Sequence, residues 1–122
     1  PLTAGDQKRD FIYIDDVVSA YRAILRHCLG TGCGGTEFYV GSGEPVSIRD
    51  FVERLAAMVP GSGTKLGFGA LPYRENEVMY SCADTAKLCS LGWRCEYSID
   101  RGLGITIEEE MKALRANHNK GE

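Results

Sequence analysis

Two histidines in 122 residues, His27 and His118, leave little from which to build a metal centre. No H-E-x-x-H occurs, and the five cysteines (Cys28, Cys33, Cys82, Cys89, Cys95) contain no C-x-x-C pair. The close ligand spacing of a zinc site is therefore missing. No serine stands in a G-x-S-x-G elbow, so the usual nucleophile signature is absent too. The apolar runs fall far short of the roughly 20 residues a membrane span needs. Fourteen basic residues against seventeen acidic ones give a net charge of −3. With no basic excess to neutralise phosphates in bulk, nucleic acid is not expected as a partner. One small anion held by two or three placed arginines remains compatible with that balance. The odd cysteine count, without paired spacing, reads as reduced thiols in a cytoplasmic protein, several of them packed as small hydrophobes.

What is present suits one small domain over residues 1–122, with a polar, frayed tail at 115–122. Apolar residues make up 43% of the chain, an ordinary globular share, so disorder is not the expectation. "FIYI" (11–14) reads as a short strand running into a helix that Asp15 or Asp16 can cap. Along that helix Val17, Tyr21, Ile24, Leu25 and Cys28 recur at helical spacing, and Gly30 is a natural stop. "TEFYVG" (36–41) reads as a second strand. Ser47 caps a helix with Asp50 at its third position, and Ile48, Phe51, Val52, Leu55 and Val59 form the helix's inner stripe. Pro60 and Gly61 end it. A short strand over Val78–Ser81 and a short helix after Asp84, stopped by Gly92, come next. A last helix follows Ser98, with Ile99, Leu103, Ile107, Met111 and Leu114 on one face. Gly102 and Gly104 weaken its first turns by about 1 kcal/mol each relative to alanine. The whole is α/β, with few short strands and about four helices.

The run "GTGCGG" (30–35) fits G-x-G-x-x-G, and Asp50 lies twenty residues past Gly30. A dinucleotide loop needs a strand before it and a helix after it, so that the helix N-terminus meets the pyrophosphate. Here the order is helix, glycines, strand. The run is therefore read as a connector, and Asp50 as a capping residue.

Two stretches could carry chemistry. In "QKRDFIYIDD", Arg9 precedes the first strand, where a guanidinium can grip a phosphate with two parallel hydrogen bonds. In "PYRENE", Pro72 stiffens the approach to Arg74, and Glu75 and Glu77 follow. Cation plus acid there suits a nucleotide. Read on its own, the first is more simply a surface arginine paired with a nearby acid, and the second a solvated charged loop. The paired acids Asp15–Asp16 and Glu108–Glu110 are accounted for by a helix cap and a solvated helix face.

Taken in order, "GDQKRDFIYIDDVVSAY", "FYVGSGEPVSIRDFVERL", "PYRENEVMYSCADTAKLCSLGW" and "YSIDRGL" resemble the C-terminal part of extended short-chain dehydrogenases/reductases. These are the NAD(P)-dependent nucleotide-sugar epimerases, dehydratases and reductases. The resemblance runs from about Gly5 to Ile107 and is closest in flavour to the CDP- and dTDP-sugar enzymes, the CDP-abequose synthase group among them. It implies that Arg9 and Arg74 contact the diphosphate of a nucleotide-diphosphate sugar from two sides, and that Glu77 binds ribose hydroxyls. Many relatives carry aspartate in the place of Glu77.

The same resemblance implies the C-terminal portion of a Rossmann-type enzyme that lacks its N-terminal cofactor half. The family's catalytic Tyr-x-x-x-Lys has no counterpart: none of the six tyrosines has a lysine four residues on. No catalytic, cofactor-binding or metal residue is assigned, and NAD or NADP is expected to serve the full-length enzyme only. The chain, which begins at Pro1 without a methionine, is expected to be an inactive piece of a larger enzyme. As such it would self-associate or pack on the missing domain. The alternative is a free-standing nucleotide-sugar or protein-binding domain without catalysis.

Overall fold

Lys8 and Arg9 form the centre of the molecule's small sheet. In the computed structural model, which describes residues 1–118, strand β1 (Lys8–Arg9) pairs antiparallel with β2 (Val46–Ser47), Lys8 opposite Ser47 and Arg9 opposite Val46. On its other side Lys8 N–H donates to Met79 O (2.8 Å) and Ser81 N–H donates to Lys8 O (3.1 Å). The strand expected over 78–81 is thus a single parallel bridge at Tyr80.

Four helices surround this point. They are α1 (Ile14–Thr31), α2 (Ile48–Met58), α3 (Ala86–Cys89) and α4 (Ile99–His118). α2 starts as the sequence indicates: Ser47 Oγ accepts from Asp50 N–H at 3.0 Å. At α4, Ser98 Oγ accepts from Arg101 N–H (3.3 Å). Both caps satisfy an amide that the first helical turn leaves free. α4 carries on through 115–118, and the rest of the expected tail lies outside the described residues.

Three local expectations are corrected. "FIYI" is not a strand. Residues 11–13 are irregular and Ile14 already begins α1, with Tyr13 at the cap position and no capping side chain. The apolar side chains there are used in stacking instead: Phe11 lies on Phe51 (centroids 4.0 Å apart) and Tyr13 against Tyr97 (4.7 Å). Gly102 makes this possible, because a Cβ there would sit 3.2 Å from Tyr13 Cβ. "TEFYVG" forms no strand either, and Phe38 and Val40 pack instead on the core. α1 does not bury the stripe its spacing suggests. Its buried residues are Asp16 and Ala20, whereas Tyr21 and Leu25 are 61% and 58% exposed.

The glycine run is a connector. Gly30 lies inside α1, Gly32 caps it with φ 77°, and Thr36 N–H closes a turn onto Cys33 O (2.8 Å). Cys28 and Cys33 are joined across this end as a disulfide, with Cα atoms 4.7 Å apart. That differs from a reading of all five cysteines as thiols. The left-handed backbone at Gly32 and Gly34 turns the chain back and brings two cysteines five residues apart within bridging range.

The core is thin. Ala20, Leu88 and Trp93 are buried together, with Ile12, Ile24, Phe38, Val40 and Leu91 around them. Leu103 is buried separately, in α4, which packs on α2. By contrast Ile14, Val18, Tyr21, Leu25 and Leu29 leave one face of α1 uncovered. No helix among the described residues is long and apolar enough to cross a membrane.

Candidate functional site

The sheet determines where Arg9 points. Its Nη1 donates to Lys8 O (2.9 Å), and its Nη2 pairs with Glu77 Oε1 at 2.8 Å, the two side chains 27% and 21% exposed. Glu77 closes a turn onto Arg74, Glu77 N–H donating to Arg74 O at 3.1 Å. The preceding Tyr73 anchors this turn: its hydroxyl donates to Asp6 Oδ2 (3.0 Å) and accepts from Asp6 N–H (2.9 Å). Residues 68 positions apart in sequence are thereby brought together, Arg9 against Glu77, and Arg74 lies on the same turn as Glu77. The pair Arg9–Glu77 is direct. Arg74 is exposed and forms no ion pair among the described residues. A guanidinium carries five N–H donors, so Arg9 retains donors beyond these two contacts.

The neighbouring acid, Asp10, does not pair with Arg9. Its carboxylate gathers the N–H and hydroxyl of Ser42, the N–H of Gly43 (3.1 Å) and the N–H of Ala83 (3.1 Å). Burial pushes its pKa up, but the Ser42 hydroxyl and the three backbone amides outweigh that and hold it below the ordinary 3.8. A depressed carboxylate stabilises the fold fully above its unfolded pKa and loses that contribution as pH falls through the folded value. We therefore expect wild-type stability to drop as pH falls below 3.8, and Asp10→Asn to flatten that slope. Urea denaturation across pH 2–5, with both proteins compared, checks it: parallel curves would show that Asp10 carries none of the dependence.

Asp16 does for the far end of the chain what Asp10 does for the middle. It is 1% exposed. Its carboxylate accepts from Glu96 N–H and Tyr97 N–H (both 3.0 Å) and from the Cys95 thiol (3.1 Å). Burial first, and the Asp16 carboxylate second, push the Cys95 thiol up to about 12. Sequence reasoning missed Asp10, Asp16 and Tyr73. The only local signal is an acid set within a partly apolar run, which must find donors if it is buried.

Two cavities lie near Phe11 and Tyr97. One, of about 190 Å³, is walled by aromatic and aliphatic side chains, including Tyr13, Phe51 and Leu103. The other, of about 500 Å³, is polar and lined by Ser42, Glu44, Arg54, Glu96 and Asp100 among others, with Arg54 paired to Asp100 at 2.9 Å. Neither is lined by Arg9, Arg74 or Glu77. No three His, Cys, Asp or Glu side chains among the described residues are grouped to hold a metal. The glycine run does not fit a dinucleotide: it closes the C-terminal end of α1, where exposed carbonyls repel a pyrophosphate. The chemistry available around Arg9 is thus recognition of an anion beside a hydrogen-bond acceptor.

Similar folds occur in solved enzymes. The Bordetella bronchiseptica enzyme WbmF, in complex with NADH, superposes with a TM-score of 0.72 at 29% identity, over 96% of this chain and 33% of that one. UDP-glucose 4-epimerase from Thermotoga maritima, solved with UDP-glucose, gives 0.71 at 26% identity, over 90% of this chain and 33% of that one. The architecture is an α/β portion of the Rossmann-type epimerases and dehydratases. Residues 1–41 match the NAD dependent epimerase/dehydratase family. CDP-abequose synthase of Salmonella typhimurium is 42% identical over 113 residues, 92% of this chain and 36% of that protein. Over residues 1–41 the chain thus matches that family, and it spans about a third of the length of the curated relatives it resembles.

Proposed function

We propose that this chain supplies the nucleotide-sugar-binding surface of an NAD(P)-dependent epimerase, dehydratase or reductase. Arg9 and Arg74 bind the diphosphate, and Glu77 accepts from ribose hydroxyls. The observation that supports this is the Arg9–Glu77 pair, which brings β1 against the turn that also carries Arg74. The names of the relatives support the substrate class: a CDP-sugar synthase and an epimerase solved with UDP-glucose. On this reading the Arg9–Glu77 pair holds both side chains in place before ligand arrives. Two cations flanking a diphosphate stabilise binding without taking part in a redox step. The nicotinamide cofactor, which would supply hydride transfer, belongs with residues other than these, and the chain alone turns over nothing.

The test is calorimetric titration with CDP-, UDP- and dTDP-sugars. Arg9→Ala and Arg74→Ala should each weaken binding about tenfold, the scale of one charge-assisted hydrogen-bonded contact. Unchanged affinity in the double variant would refute the assignment. Full NAD(P)-dependent sugar conversion by the 122-residue chain would refute its catalytic silence.

The same reading has the uncovered face of α1 packed against further protein, either a second copy or the remainder of a longer cytoplasmic enzyme. Contiguous exposed apolar surface of this kind marks an interaction site. Sedimentation of the isolated chain at rising concentration is expected to show dimers or larger species, and Leu25→Glu to shift it towards monomer. A monomer at every concentration would count against self-association.

A further inference from the structure

A groove between α1 and the 91–96 segment stands apart from the Arg9 patch. It encloses about 320 Å³, with Arg22 and Arg26, one turn apart on α1, on one wall. Arg94 and Glu96 form the opposite wall, and Trp93 and Leu91 complete it. The fold holds these walls rigidly. Arg94 Nη1 donates to Cys89 O (2.9 Å) and Trp93 O (2.8 Å). Trp93 Nε1 donates to Ser19 Oγ (2.8 Å), and the Ser19 hydroxyl donates to Asp16 O (2.9 Å). The Asp16 carboxylate in turn holds the amides of residues 96 and 97. The segment carrying Arg94 is thus tied to the helix carrying Arg22 and Arg26.

None of these three arginines forms an ion pair among the described residues. Glu96 is the one carboxylate residue in the lining, which leaves the groove with a formal charge of +2 inside a chain whose net charge is −3. Three cations facing a shared space repel one another unless an anion enters. All are arginine, whose planar fork matches tetrahedral oxyanions in a way a lysine ammonium does not.

We propose that this groove binds a phosphate-class dianion, either free phosphate or pyrophosphate or the phosphate group of a small ester. A dianion offsets the formal charge of the lining, and its own volume lies well within the 320 Å³ of the groove. Arg94, held by two carbonyls, orients it, and Arg22 and Arg26 close on it from the helix.

Trp93 is the only tryptophan in the chain, so its emission reports on this groove. Titration with inorganic phosphate, pyrophosphate and glucose 1-phosphate, each at constant ionic strength, should give a saturating change. Tighter binding of the ester than of phosphate would identify the organic source, and the reverse order the inorganic one. The Arg22→Ala, Arg26→Ala double variant and Arg94→Ala should each weaken binding at least tenfold. Glu96→Gln should strengthen it several-fold, and Arg9→Ala with Arg74→Ala should leave the Trp93 response unchanged. That last arm separates this site from the nucleotide-sugar patch, since either can fail while the other stands. Calorimetry with pyrophosphate, carried out on the Arg9→Ala, Arg74→Ala variant so that the nucleotide-sugar patch contributes no heat, backs the optical signal. The proposal is overturned by absence of heat at millimolar pyrophosphate, by an equal response to sodium chloride, or by full binding in the double variant.

Discussion

Asp16→Ala is expected to destabilise the fold by about 3–5 kcal/mol, a large share of what a small domain has. The substitution removes the acceptor for two backbone amides, Glu96 N–H and Tyr97 N–H, at a position that is 1% exposed. Hydrogen bonds to a charged group are worth about 1.5–3 kcal/mol each, and a buried amide left without a partner carries its full desolvation cost. A neutral water in the space left by the carboxylate is a weaker acceptor than the charged group, so the 95–97 segment is free to move off α1. Such a move also loosens Trp93, one of the few buried core residues, and its bond to Ser19. Asp16→Asn keeps one acceptor oxygen and should cost about half as much. Urea denaturation followed by Trp93 emission measures both. A second readout tests the geometry: with the carboxylate gone, the Cys95 thiol should fall from about 12 and react faster with a thiol reagent at a given pH. If the midpoint and the thiol rate both stay where they are, Asp16 is not the clamp.

This clamp also shows what could be read in the residues beforehand and what could not. Elements governed by local chemistry were legible: Ser47 and Ser98 cap as their spacing indicates, and the glycine run ends a helix as its neighbours require. Elements governed by distant partners were not. "FIYI" has the composition of a strand, yet Phe11 and Tyr13 stack on Phe51 and Tyr97, so its aromatic content serves packing between helices. On α1 the apolar residues cover more than one face. Periodicity alone could not show that the face with Tyr21 and Leu25 is the uncovered one. Asp15 and Asp16 looked like a cap, but Asp16 answers to residues about 80 positions away, for which no local pattern exists. At the candidate site, Arg9, Arg74 and Glu77 are put forward by family resemblance, and the pairing of Arg9 with Glu77 is what no local pattern showed. Their convergence depends on Tyr73 gripping Asp6 and on a strand only two residues long.

Gly41→Ala should destabilise the fold strongly, by about 2–4 kcal/mol. The reason is steric and does not involve backbone conformation. Gly41 is absent from the glycines with left-handed backbone, so alanine could adopt its φ without strain. A Cβ there, however, would run into Asp10 Oδ2 and Ala83 Cβ, with Asp10 Cγ only 3.0 Å away. Neither neighbour can yield cheaply, because Asp10 is held by Ser42, Gly43 and Ala83 together. Overpacking of this kind costs about 1–3 kcal/mol, and displaced charge-assisted hydrogen bonds add to it. Gly43→Ala is the control. Gly43 has φ 78° with only Thr85 Oγ1 nearby, 3.5 Å from its would-be Cβ, so its cost is backbone strain of about 1–2 kcal/mol. The order of the two variants in urea midpoint tests the account, and Gly43→Ala proving the worse would reject it. Because Asp10 directly follows Arg9, pushing it aside should also shift the end of β1 and break the Arg9–Glu77 pair. If the proposed function holds, Gly41→Ala weakens nucleotide-sugar binding under conditions where the protein is still folded, whereas Gly43→Ala does not.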